Sequence, residues 1–257
     1  MKDNHHPPLT RTLSACLGAV LVLATTAEAG SRDFAYSYET TTMPAGSLEL
    51  ENTATWEKGI EGNSDVGRFD IRHEFEYGFT DHLQVSFYFA DWSYTKPINE
   101  SGKAKFENVA MEAIYNLTDP NSSPFGSALY GEITAGDHLL GLEGKLLLQK
   151  NIGRWILVYN IGGEIRWEGD AYGDDGELSQ SAGIIYQTNP SWTLGAEILH
   201  EIALPDVSSI GHSGVYVGPD ASWRKGNITL TLAGLWQLTS LSTEPDFQLR
   251  TILSLDF

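Results

Sequence analysis

The chain has 257 residues and a formal net charge of −18, from 34 Asp and Glu against 16 Lys and Arg, with one cysteine. So large a carboxylate excess excludes nucleic acid as partner, because phosphate contacts require Lys and Arg, and it favours attraction of cations and basic ligands. Cys16 falls in a segment expected to be removed, so a disulfide scaffold, a cysteine-rich zinc site and a thiol nucleophile are excluded too. No cofactor is implied.

The N-terminus reads as an export leader. Lys2 and Arg11 precede the apolar stretch Leu13–Ala24, and Ala27-Glu28-Ala29 is a small-x-small cleavage site. The expected division is a leader over 1–29 and one mature domain over 30–257. The stretch is too short to span a bilayer comfortably. Leu13-Ser14-Ala15-Cys16 matches a lipoprotein pattern, but most of the apolar core follows Cys16, so a cleaved leader is the better reading. His5 and His6 fall in the leader and call for no metal.

Beyond residue 30 no stretch has the length of a transmembrane helix; apolar residues recur with period two instead. Leu48, Leu50, Ala54 and Trp56 oppose Glu49, Glu51, Thr53 and Glu57. Phe69, Ile71, Phe75 and Tyr77 oppose Asp70, Arg72, Glu74 and Glu76, and Leu83, Val85, Phe87 and Phe89 oppose Gln84, Ser86 and Tyr88. Val109, Met111, Ala113 and Tyr115 stand against Glu112, and Leu129, Ile133 and Ala135 against Glu132. Residues 142–150 are a weaker case, with Leu146 and Leu148 against Lys145. Trp155, Leu157, Tyr159, Ile161, Ile165 and Trp167 make the clearest stripe, with Glu164 and Arg166 facing away. Further stripes centre on Ala182 and Ile184, on Leu194 and Ile198 beside Glu197, on Val217 and Trp223 beside Asp220, and on Leu230 and Leu232. The closing stripe holds Phe247, Leu249, Leu253, Leu255 and Phe257, with Arg250 on its other face. These segments predict an all-β fold, an antiparallel up-and-down transmembrane barrel of about twelve strands.

Tight connections at 78–81, 118–124, 151–154, 188–191 and 224–227 alternate with longer ones at 58–66, 93–103, 168–176, 203–213 and 240–246, as periplasmic turns and outer loops do. Six of the seven tryptophans fall at or near strand ends, and Trp236 falls close to one, where girdles form. A soluble sandwich or lipocalin-like barrel shows the same alternation, with the apolar face inside; the tryptophan positions, the even strand count and the C-terminus favour the membrane barrel.

The terminal strand Phe247-Gln-Leu-Arg-Thr-Ile-Leu-Ser-Leu-Asp-Phe257 resembles the closing strand of Gram-negative outer-membrane β-barrel proteins. Glu74-Phe-Glu-Tyr-Gly-Phe-Thr-Asp-His-Leu-Gln-Val85 is similar to a strand–turn–strand of many such barrels, and Glu39-Thr-Thr-Thr-Met-Pro-Ala-Gly-Ser-Leu-Glu-Leu-Glu51 resembles the way several families enter their first strand. The resemblance is to an uncharacterised, porin-like architecture. It implies an outer-membrane location, lipid as surroundings, and recognition by the insertion machinery through Phe257; it transfers no catalytic or binding residue.

With the apolar face in lipid, the lumen would carry Glu49, Glu51, Asp70, Glu74, Glu76, Glu112, Glu132, Glu164, Glu197 and Asp220, with Arg72, Lys145, Arg166 and Arg250. Two outcomes stay open. A wet lumen would pass small solutes or cations, as charged rings do elsewhere; alternatively Arg72, Arg166 and Arg250 bridge carboxylates and fill it, leaving a structural or adhesive barrel that acts through its loops. A lipid-modifying enzyme is a weaker alternative. Its hint is Gly211-His212-Ser213-Gly214, where adjacent residues of a strand face opposite ways. His200, Glu201, Asp206 and His212 gather near one loop as weak metal candidates, while Asp174-Asp175-Gly-Glu177 reads as a solvated acidic loop.

Overall fold

The computed structural model describes residues 32–60, 67–96, 101–169 and 173–257. The leader, Cys16 and the cleavage site lie outside them. Twelve strands follow one another: β1 (Leu48–Lys58), β2 (Gly67–Thr80), β3 (Leu83–Lys96), β4 (Lys103–Thr118), β5 (Gly126–Gly136) and β6 (Leu139–Ile152). The second half comprises β7 (Trp155–Glu168), β8 (Gly173–Asn189), β9 (Trp192–Leu204), β10 (Ser213–Lys225), β11 (Ile228–Gln237) and β12 (Phe247–Asp256). Each pairs antiparallel with its neighbours in sequence, and β12 returns to β1, closing the barrel. The closing register runs from Glu49↔Asp256 to Lys58↔Phe247, and the Phe257 amide donates to the Leu48 carbonyl at 2.9 Å. Closure leaves no strand edge unpaired, as lipid requires.

The alternation resolves with its apolar side outward. Met111, Ile133, Leu129 and Leu194 are about half exposed, whereas Glu49, Glu51, Glu112 and Glu197 are buried inside. A soluble barrel would have these faces reversed. Aromatic girdles ring both ends of the band. Trp56 lies between Phe69 and Phe247, and Trp92 meets Phe106, at the end bearing the longer connections. Trp155 packs on Tyr186 and Trp192 on Trp223 at the turn end. These rings belong at the headgroup level on either side of the hydrocarbon.

Several strands run further than the apolar pattern reaches: residues 93–96, 173–176 and 203–204 extend the ladder into segments that read as loops. Beyond the band both faces meet water, so alternation fades while pairing persists. The acidic run Asp174–Glu177 is accordingly the start of β8. At the same end β5 and β6 join through Asp137 and His138 alone, His138 taking φ 53°.

Candidate functional site

Residues 32–43 enter the lumen instead of extending a strand, and 44–47 turn at its end into β1. Phe34, Ala35, Thr40 and Met43 have no exposed surface. Three inward apolar patches receive this segment. Phe34 packs on Val158 and Ile185. Ala35 and Tyr36 join Leu199, Tyr216, Ala233, Leu235 and Ile252. Tyr38 lies against Ile114, Ala128, Tyr130 and Leu147, its ring 5.0 Å from that of Tyr130. Gly183 makes room for Phe34, since a Cβ there would collide with the ring.

A buried backbone without a neighbouring strand must find its hydrogen bonds among side chains. The amides of Ala35, Tyr36 and Ser37 donate to the Glu197 carboxylate at 2.9, 3.1 and 2.7 Å, and Ala35 also donates to Asp220 at 3.2 Å. Successive amides converging on one anion form a nest. Asn160 accepts from the Tyr38 amide at 2.6 Å and donates to its carbonyl at 3.0 Å. Gln149 accepts from both the amide and hydroxyl of Thr40, Asn116 donates to the Thr40 carbonyl, and Gln84 accepts from the Met43 amide. These partners sit on β3, β4, β6, β7, β9 and β10, so the segment crosses the turn half of the lumen from wall to wall.

The loop half holds a cavity instead. A cavity of about 580 Å³ is lined there by ten carboxylates, among them Glu57, Asp70 and Glu132, and six basic groups, including Arg68 and Arg72. A smaller cavity of about 210 Å³ lies between Tyr36, Lys145, Glu177, Glu201 and Arg250. Arg72 bridges Asp91 at 3.3 Å and Glu132 at 3.4 Å, with its guanidinium 4.0 Å from the centre of the Tyr88 ring. Lys145 pairs with Glu143 at 2.9 Å.

The expected lumen residues divide between these halves. Glu49, Glu76, Glu112, Glu197 and Asp220 are buried on the inner wall; Tyr88 donates to Glu112 at 2.7 Å. Glu51, Asp70, Arg72, Glu74, Glu132, Glu164, Arg166 and Arg250 line the larger cavity. Arg72 spans carboxylates of different strands, as a tie would. Among the described residues, Arg166 forms its ion pairs with local acids, Glu164, Glu168 and Asp175, near the loop end. Arg250 departs from the expectation: it stacks 4.1 Å over the Tyr36 ring and donates to Thr55 and to the Ala35 carbonyl, gripping the N-terminal segment. Arg166→Ala is therefore expected to cost less than ~1 kcal/mol in urea unfolding, as exposed pairs contribute little.

The metal candidates do not come together. His200 and Glu201 are successive on β9 and face opposite ways, with Glu201 at the smaller cavity and His200 Nε2 2.7 Å from Ser213 Oγ. His212 meets Glu244 at 2.6 Å. Asp206 is engaged by Ser208 and Ser209 of its own loop, whose hydrogen bonds hold its carboxyl below the usual range. Ser213 of the Gly211–Gly214 run thus pairs with His200 across the strands, not with His212. The cluster of ligating groups that forms among the described residues is instead Glu51, Glu74 and Glu76.

Sequence reasoning missed the N-terminal segment. The signal was present: Ile114, Leu147, Val158, Ile185, Leu199, Leu235 and Ile252 are apolar residues at inward positions, where a water-filled lumen calls for polar ones. Apolar side chains inside a barrel require something to cover them.

Comparison with solved structures finds the same fold. The COG4313 outer membrane channel from Pseudomonas putida F1 superposes with a TM-score of 0.64 at 12% identity, over 85% of this chain and 98% of that one. The NanC porin follows at 0.55 and 10% identity, over 81% and 98%, and the KdgM porin at 0.53 and 9%, over 81% and 99%. The chain has the porin-like β-barrel fold of these outer-membrane proteins. No curated protein matches it. A family model matches residues 26–164.

Proposed function

The chain belongs to a family of unknown function, DUF6662, and we propose that its barrel is a pathway for small polar solutes, preferring cations, which its own N-terminal segment holds closed. The supporting observation is the charged cavity of about 580 Å³, which lies in the loop half and is bounded by Arg32 and Tyr38 of that segment. Its carboxylates outnumber its basic groups ten to six, so a cation gains and an anion loses electrostatic energy on entering. The structural relatives named as a channel and as porins share this architecture, and their transport is carried to this chain as part of the proposal.

Flux into liposomes tests the reading. Through a chain whose N-terminal segment is replaced, small amines are expected to enter several-fold faster than carboxylates of equal size at low ionic strength, while the complete chain admits little of either. The preference should shrink near 1 M salt, where the screening length falls to about 3 Å. The second reading is a closed barrel that acts through its outer loops, supported by the filled turn half. Absence of flux both for the complete chain and for one with the segment replaced would favour that reading instead.

A further inference from the structure

Four glutamates confront one another on the inner wall. The β1–β2 register sets Glu49 opposite Glu76 and Glu51 opposite Glu74, and all four are at most 3% exposed. Like charges directly opposed across a strand pair are destabilising, and buried charges demand partners. The partners here are few. Glu51 Oε1 accepts from Thr53 at 3.0 Å and from Arg32 at 3.4 Å, and Glu76 Oε2 accepts from Gln84 at 2.9 Å. Among the described residues, Glu51 Oε2 and Glu74 Oε2 are buried without a hydrogen-bond donor, as is Glu112 Oε1 on β4. Carboxylate oxygens of Glu51, Glu74 and Glu76 lie within 4.8 Å of one another.

We propose that Glu51, Glu74 and Glu76 form a binding site for a divalent cation of the calcium class at the floor of the cavity. Carboxylate oxygens suit a hard ion, and no sulfur or imidazole belongs to the group. Calcium takes oxygen ligands in flexible geometry, whereas magnesium needs a near-ideal octahedron and keeps several waters. The ion has a route in. Glu51 and Glu74 line the larger cavity, and Glu76 borders a small pocket that shares Arg32 and Tyr38 with it. A bound cation would satisfy the two donorless oxygens of Glu51 and Glu74 and relieve the opposed charges of β1 and β2. The site stands whether or not the barrel conducts.

Calorimetric titration of the complete refolded chain, stripped of metal and held in zwitterionic detergent, provides the test. About 0.1 M KCl would screen diffuse attraction to the acidic surface. Calcium chloride is expected to fill one saturable site, with magnesium about tenfold weaker. Glu51→Gln and Glu74→Gln should each weaken calcium about tenfold or more, at a loss of one charged ligand. Glu107→Gln, an acid elsewhere in the cavity, should leave binding unchanged. Glu74→Asp keeps the charge and should fall between, which guards against a variant that merely misfolds; retained heat-modifiable migration on a gel verifies each barrel. The absence of a saturable site, or calcium binding indifferent to Glu51→Gln and Glu74→Gln, would overturn the proposal.

Discussion

Glu197→Ala is expected to turn a closed barrel into an open one, read in planar bilayers as at least a tenfold rise in open probability. Its carboxylate accepts from three consecutive amides of the N-terminal segment. Alanine leaves those donors buried without their anion, at about 1–3 kcal/mol for each. Even ~1.4 kcal/mol shifts such an equilibrium tenfold. Asp220 touches the Ala35 amide at 3.2 Å but not the other two, so it compensates for little of the loss. Glu197→Gln keeps an acceptor oxygen and should give a smaller rise. The barrel wall itself should persist, because β9 keeps its backbone ladder to β8 and β10. Conductance of Glu197→Ala equal to that of the unaltered chain would mean that the nest does not hold the segment.

Phe34→Asp should open the lumen by a different route. The ring lies fully buried on Val158 and Ile185, beside Gly183. Truncating a buried Phe costs about 3–5 kcal/mol, and an unpaired carboxylate in an apolar pocket costs more. The segment, not the wall, should give way, since its ordering is opposed by roughly 1–2 kcal/mol of backbone entropy per residue. Chymotrypsin added from the turn side should then cut at Tyr36 or Tyr38, which the unaltered chain protects. A Phe34→Asp chain as protease-resistant and as closed as the original would show that the apolar docking is dispensable.

Much of the wall was legible from alternation alone. Where lipid lies on one side and water or polar side chains on the other, as along Trp155–Trp167, period two is enforced at each residue. The strand count and the sense of the faces followed from that and from the tryptophans. The ends of β3, β8 and β9 were not legible, because water on both faces removes the constraint that writes the pattern. The N-terminal segment was hidden for a different reason. Phe34, Tyr36 and Tyr38 alternate with period two over only five residues, too short a stripe to read as a membrane strand, and each is placed by a different patch on distant strands. Their partners include side chains more than a hundred residues away, such as Asn160 and Glu197. Arg250 was legible as an inward residue, but its role was not, because Tyr36 comes to it only when the segment folds inside. The glutamates of β1 and β2 were each assigned to the lumen; their convergence depended on the register Glu51↔Glu74.

The central claim is that residues 33–45 close a lumen that otherwise conducts. Single-channel recording of the complete chain beside one in which those residues are replaced by Gly and Ser, at unchanged length, tests it most directly. The complete chain should stay closed with rare brief openings. The replaced chain should stay open, with a conductance several-fold larger and a cation preference in its reversal potential. Equal conductance of the two chains, whether both open or both closed, would contradict the account.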